Sequence, residues 1–160
     1  CGSRTDPPRL DIIGPETAAG IFAAISEWVS ARGLGGRIRL MGELGHAEIE
    51  EGFTRESSIF AFPTRREEAF GLVLAEAMSK GVPVVATRIG AIPEVLEDGS
   101  AGLLTEPGDP AALAGALGRM LDDAEARTAF ALKGLKASRK YSFAEYSRAV
   151  GGILSWAGLA

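Results

Sequence analysis

The 160-residue chain contains no asparagine and no glutamine, a single histidine, and a single cysteine at position 1. Without side-chain amides, any polar ligand must be held by carboxylates, hydroxyls, guanidiniums or the backbone. One terminal cysteine excludes an internal disulfide and a cysteine-type metal site, and fits an expected cytoplasmic location. His46 stands beside a turn and reads as structural, so no metal site is expected. The apolar runs, such as residues 70–75, fall far short of the roughly 20 residues that span a bilayer, and no basic-then-apolar leader is visible. A net charge of −4 and a pI near 5.1 argue against a nucleic-acid partner, which would require a basic stripe.

Other chemistries leave no trace. The "GLGG" of residues 33–36 precedes a strand pattern instead of following one, so it is not the dinucleotide-binding arrangement. No phosphate loop ending in Gly-Lys-Ser/Thr occurs, and no nucleophile-plus-base set can be assembled locally.

What is present is an alternation of two periodicities. Residues 1–9 are polar and carry two prolines, which marks a tail or linker. Residues 10–160 read as one domain. Residues 10–14, "LDIIG", form an apolar run that reads as a buried strand, followed by a helix over 16–32 that Gly33 ends. Residues 37–42 alternate as a second strand, 46–55 form a short helix, and 57–63 a third strand closed by proline. A helix over 70–79 ends at Lys80-Gly81. The near-continuous apolar stretch 82–87 is a strand covered on both faces. A turn or helix at 93–96 and a strand at 102–105 follow. Asp109-Pro110 opens a helix to about residue 121, with Asp122-Asp123 read as lying within a helical region. "SFAE" at 142–145 has the spacing of a capping box for a last helix ending near residue 156. Strands alternating with helices at this spacing predict a doubly wound, mostly parallel, Rossmann-like α/β sheet. Ligands of such sheets bind at the carboxyl ends of the strands, which here are residues 42–45, 63–71 and 87–94.

At that rim the stretch "EEAFGLVLAEAMSKGVPVVATRIG", residues 67–90, raises one question. A helix over 72–78 is apolar on nearly every side, and an unpaired charge inside a core is very costly. Glu76 therefore needs a cation or an opening to solvent or ligand; Lys80, four residues on, is the local alternative. The helix start near Phe70-Gly71 offers free amides and a favourable dipole to an anion. Gly71 and Gly90 permit close approach of a ligand, or serve only for packing. Glu68 and Glu76 on one ideal helix would be about 12 Å apart, beyond the roughly 5–9.5 Å of paired glycosidase carboxylates. Two separate grips on a hydroxyl-rich ligand fit better. Glu94 reads either as a site residue or as an acid in the first turn of a helix.

The combined stretch "EEAFGLVLAEAMSKGVPVVATRIGAIPEVLEDGSAGLLTEPGDPAALAGAL" resembles the C-terminal, donor-binding half of family-4 glycosyltransferases of the GT-B fold, and the resemblance extends more loosely back to residue 10. It implies a nucleotide-diphosphate-sugar donor, retention of anomeric configuration, and no metal or other cofactor. Glu68 would contact the donor sugar and stabilise charge at its reacting centre. Glu76 would accept hydrogen bonds from the ribose, and the amides near Phe70, Gly71, Leu72 and Val73 would face the diphosphate. Gly42 and the segment from Gly90 to Glu94 would line the base and sugar sides. The family usually has two adjacent glycines where this chain has Gly90-Ala91. The resemblance also implies that the first strand and helix of the domain, with two phosphate-binding cations, and an N-terminal acceptor-binding domain are missing from this chain. Such a piece would be inactive alone and open to self-association through its incomplete sheet. The full protein is expected in the cytoplasm, peripheral to a membrane where the acceptor is a lipid. Another GT-B protein, such as a sugar-nucleotide epimerase or a phosphorylase, and a non-catalytic nucleotide-sugar-binding domain remain as alternatives.

Overall fold

The computed structural model of the chain describes residues 7–16, 18–53 and 59–157. Strands and helices alternate in the order β1 (Leu10–Ile13), α1 (Ile21–Ala31), β2 (Ile38–Gly42), α2 (His46–Phe53), β3 (Phe60–Phe62), α3 (Leu72–Ser79), β4 (Val84–Thr87), α4 (Ile92–Val95), β5 (Leu103–Thr105), α5 (Pro110–Asp122), α6 (Ala124–Ser138) and α7 (Phe143–Trp156). All described strand pairs are parallel, as the βα alternation predicts. The chain divides into two compact units, Cys1–Ile49 and Glu50–Ala160.

In the first unit β1 pairs with β2 alone among the described residues. The strand expected to be buried leaves Leu10 and Ile13 nearly half exposed, because it has a single strand neighbour. Asp11 and Arg39 are direct cross-strand partners and join in a two-pronged ion pair, 2.7 Å at Nε and 2.5 Å at Nη2, which raises the Arg39 guanidinium above its ordinary pKa. The first helix begins at Ile21, later than residue 16. Gly20 lies in the left-handed region at its start, and Glu16 reaches across to accept the Phe22 N–H at 3.2 Å, so the acid caps the helix from outside it.

In the second unit β4 is central, flanked by β3 and β5, and its four residues are all buried. Helices α3, α5 and α6 pack on it. The core is built from Leu74 and Met78 of α3, Val84 and Val85 of β4, Ile92 and Leu96, and Met120 of α5, each with no exposed surface. Gly134 lets α6 lie close to α3, since a Cβ there would sit 3.3 Å from Met78 Cγ and 3.4 Å from the Ala101 carbonyl oxygen. The helix α3 ends as expected: Gly81 has a positive φ, its N–H reaches Met78, and the Val82 N–H reaches Ala77.

The start of the third strand at 57 and the end of the second helix at 55 lie outside the described residues. Asp109 caps α5 by accepting the Ala112 N–H at 2.9 Å. Asp122 and Asp123 are not inside one helix: α5 stops at Asp122, Asp123 adopts an extended conformation, and its carboxylate caps a separate helix α6 through the Ala126 N–H at 2.8 Å. Ser142 caps α7 through the Glu145 N–H at 3.3 Å. The Glu145 carboxylate pairs with Arg148, and the Ser142 N–H goes to the Arg139 carbonyl, so the box closes on one side. No helix among the described residues is long and apolar enough to cross a membrane.

Candidate functional site

Three loops follow the carboxyl ends of β3, β4 and β5 in the second unit, and the first two are tied together. The Thr87 hydroxyl at the end of β4 donates to the Thr64 carbonyl at 2.7 Å, and the Thr64 hydroxyl accepts the Arg66 N–H at 3.1 Å. The chain then reaches Glu68, which lies in the loop and not on the helix. Its Oε1 accepts the Gly71 N–H at 3.3 Å, while its carbonyl accepts the Ala91 N–H, from the loop after β4, at 3.0 Å.

The first turn of α3 is built around Gly71 at φ 74, ψ 53. Glycine is favoured there by this left-handed backbone, and a Cβ would also meet the end of the Leu74 side chain, 2.9 Å from Cδ1. The Leu74 N–H turns back to the Gly71 carbonyl at 2.9 Å. No described group accepts the N–H of Leu72 or of Val73, so two donors stay open at the positive end of the helix dipole. Phe70 is half-buried and packs edge-on against Tyr141, with ring centroids 5.0 Å apart at 88°.

The helix itself departs from the expected all-round burial. Leu74, Ala75, Ala77 and Met78 face the core, while Leu72 is 67% exposed and Val73 and Glu76 are half-buried. Eight residues pressed on one side by β4 and α6 leave one stripe open, and Glu76 lies on it, four residues from Leu72 and three from Val73. Its carboxylate has no hydrogen bond or ion pair to any described residue. The alternative pairing with Lys80 is not formed.

Gly90 has φ 56, and the space beside its Cα is filled by the Glu68 main chain. Glu94 is exposed in the first turn of α4, and Lys140 approaches its carbonyl at 3.5 Å and the Glu97 carboxylate at 3.7 Å. Gly42 belongs to the first unit, where it closes β2 at φ 68 and accepts the Gly14 N–H at 2.8 Å. The second unit thus holds Glu68, Phe70, Gly71, Leu72, Val73, Glu76, Gly90 and Glu94.

Sequence reasoning missed Tyr141 and Lys140, which brace Phe70 and the α4 segment from the turn before α7. The only local signal was their position just ahead of the Ser142 cap. Among the described residues no three His, Cys, Asp or Glu side chains gather as metal ligands would.

Comparison with known proteins places this architecture. Residues 3–123 match the family model described as glycosyl transferases group 1. The chain is 38% identical over 113 residues to the phosphatidyl-myo-inositol mannosyltransferase of Mycobacterium leprae, covering 71% of this chain and 30% of that protein. It is 34% identical over 144 residues to the D-inositol 3-phosphate glycosyltransferase of Corynebacterium efficiens, covering 90% of this chain and 31% of that one. Among solved structures, Anabaena HepE in complex with UDP-glucose superimposes with a TM-score of 0.80 at 25% identity, over 93% of this chain and 42% of that one. The chain spans about a third of the length of these curated relatives. Its α/β fold is that of one half of the GT-B architecture. The chain belongs to the glycosyl transferases group 1 family.

Proposed function

We propose that this chain is the donor-binding part of a retaining, metal-independent glycosyltransferase that uses a nucleotide-diphosphate-sugar, the acceptor site being supplied by the remainder of the protein. The observation that carries this reading is Glu76, a half-buried carboxylate with no described partner on the same open stripe as the unaccepted N–H groups of Leu72 and Val73. A carboxylate withdrawn from water is costly unless something donates to it, and ribose hydroxyls are donors of the right kind. The amides one turn earlier suit a diphosphate.

The division of labour follows from chemistry. As the glycosidic bond to the leaving diphosphate lengthens, negative charge grows on the phosphate oxygens and positive charge on the sugar carbon. Amides at the N-terminus of α3 stabilise the first, a kind of electrostatic contribution often worth about 3 kcal/mol in enzymes. Glu68, in the adjoining loop, holds the sugar and stabilises the second. The segment from Gly90 to Glu94 lines the sugar side. HepE in complex with UDP-glucose supports the same donor class, and the active protein is read as cytoplasmic, at a membrane surface where its acceptor is a lipid.

Titrating UDP and GDP into the chain tests the reading. Removing an acceptor from a hydrogen bond to a charged group costs roughly 1.5–3 kcal/mol, so Glu76→Ala is expected to weaken the preferred nucleotide by about tenfold or more. Equal affinities in the two proteins would remove Glu76 from the site. No binding of either nucleotide by the wild type would remove the reading itself.

A further inference from the structure

We propose that Gly90 is a positioning residue for Glu68: the turn after β4 holds the Glu68 main chain, and any side chain at position 90 would disturb recognition of the sugar while sparing recognition of the diphosphate. This inference rests on the donor-binding reading above and extends it from the residues that touch the donor to one that acts through another residue.

The geometry is specific to backbone. An ideal Cβ at Gly90 would lie 2.4 Å from the Glu68 carbonyl oxygen, 2.8 Å from its nitrogen and 3.2 Å from its carbonyl carbon. None of these atoms belongs to a flexible side chain that can swing aside, so an added methyl group must move the Glu68 peptide itself. Gly71 is different: the first atom a Cβ would meet there is the tip of Leu74, with Glu68 Cγ at 3.5 Å. The residue after Gly90 completes the clasp, because the Ala91 N–H donates to the Glu68 carbonyl at 3.0 Å. The other end of Glu68 is fixed by the Gly71 N–H, which donates to its carboxylate at 3.3 Å. Glu68 is therefore held by the β4 loop at its main chain and by the helix start at its side chain.

The diphosphate end of the site is anchored elsewhere. The open amides of Leu72 and Val73, and Glu76 beyond them, ride on α3, whose place is set by the complete burial of Leu74, Ala77 and Met78. Moving the Glu68 peptide does not require moving that helix. A glycine chosen for ligand approach would affect sugar and diphosphate together; one chosen for Glu68 separates them.

The test measures affinity of the full chain for UDP, UDP-glucose, GDP and GDP-mannose in wild type, Gly90→Ala and Glu68→Ala. For the base that binds, both variants are expected to lose about tenfold or more on the sugar-bearing donor and no more than about twofold on the nucleoside diphosphate. The double variant should lose no more than either single one. Equal losses by Gly90→Ala on both ligands, or additive losses in the double variant, would overturn the proposal. Wild type without nucleotide affinity, or Glu68→Ala without a split, would instead overturn the donor-binding reading. A ligand-free readout separates the two cases: in Gly90→Ala the Gly71 amide should exchange with solvent faster, and an unchanged rate overturns the clasp whatever binds. Should Gly90→Ala fail to fold, Ala91→Pro, at a residue whose φ of −82 suits proline, removes the N–H that donates to Glu68 and sets a ring carbon against the Glu68 carbonyl oxygen, displacing the same peptide; the same split is expected, and its absence overturns the proposal.

Discussion

In the Cys1–Ile49 unit two parallel strands and a helix leave Val29 as the one buried residue among those described, whereas in the Glu50–Ala160 unit β4 is buried along its whole length and helices pack on it from several directions. The two units use the same vocabulary, apolar parallel strands followed by helices. The difference shows that an apolar strand becomes core only when it has strands on both edges and helices over its faces. β1 has the sequence of a buried strand and one strand neighbour; β4 has two neighbours and a covering of α3, α5 and α6.

The largest expected consequence is in local stability. Amides of α3 and β4 should exchange with solvent far more slowly than those of β1 and β2, a gap of about 3 kcal/mol or more, roughly a hundredfold in rate. Hydrogen-exchange mass spectrometry on the full chain measures it, and equal protection would break the comparison. Next in size, Leu74→Ala should cost about 2–5 kcal/mol in denaturant unfolding, and Val29→Ala clearly less, because Val29 retains a little exposure and fewer buried neighbours. A third test bears on the rim of the second unit. Tyr141→Leu removes the edge-on contact with Phe70 and should cost about 0.5–1.5 kcal/mol, with weaker nucleotide affinity as its functional trace. The smallest effect belongs to the first unit: Asp11→Ala should speed exchange of the β1 and β2 amides only at low ionic strength, because its partner Arg39 is half exposed and salt screens such pairs.

Much of the second unit was legible in the sequence because its punctuation is chemical. Lys80-Gly81, Asp109-Pro110 and Ser142 each name a helix end, and each is found there. The separate helix α6 was not legible, since a single extended residue, Asp123, divides it from α5 without glycine or proline, and its apolar residues do not collect on one stripe. Glu76 was legible as an anomaly but not as a half-exposed one. Seven residues of nearly uniform apolarity cannot reveal which side a short helix turns away from its neighbours. The partner of Gly90 was invisible for a further reason: the close approach joins two loops distant in the chain, and a glycine signals only that something comes near. Its neighbour Ala91 is likewise engaged by its N–H, a group every residue but proline possesses, which donates to the Glu68 carbonyl.

β4 carries a last consequence. A strand buried on both faces has no inside and outside pattern to fix its alignment with its neighbours, and Val84, Val85 and Ala86 are nearly interchangeable as ballast. The marks that fix alignment are two threonines paired side by side at the strand ends: Thr87, whose hydroxyl reaches Thr64, and Thr105, whose hydroxyl reaches Ala86 at 3.5 Å. They work as a vernier. Sliding β4 by one residue would shift its following loop about 3.3 Å and draw the Gly90 turn off Glu68, so two hydroxyl groups in the interior keep the loops after β3 and β4 level with each other.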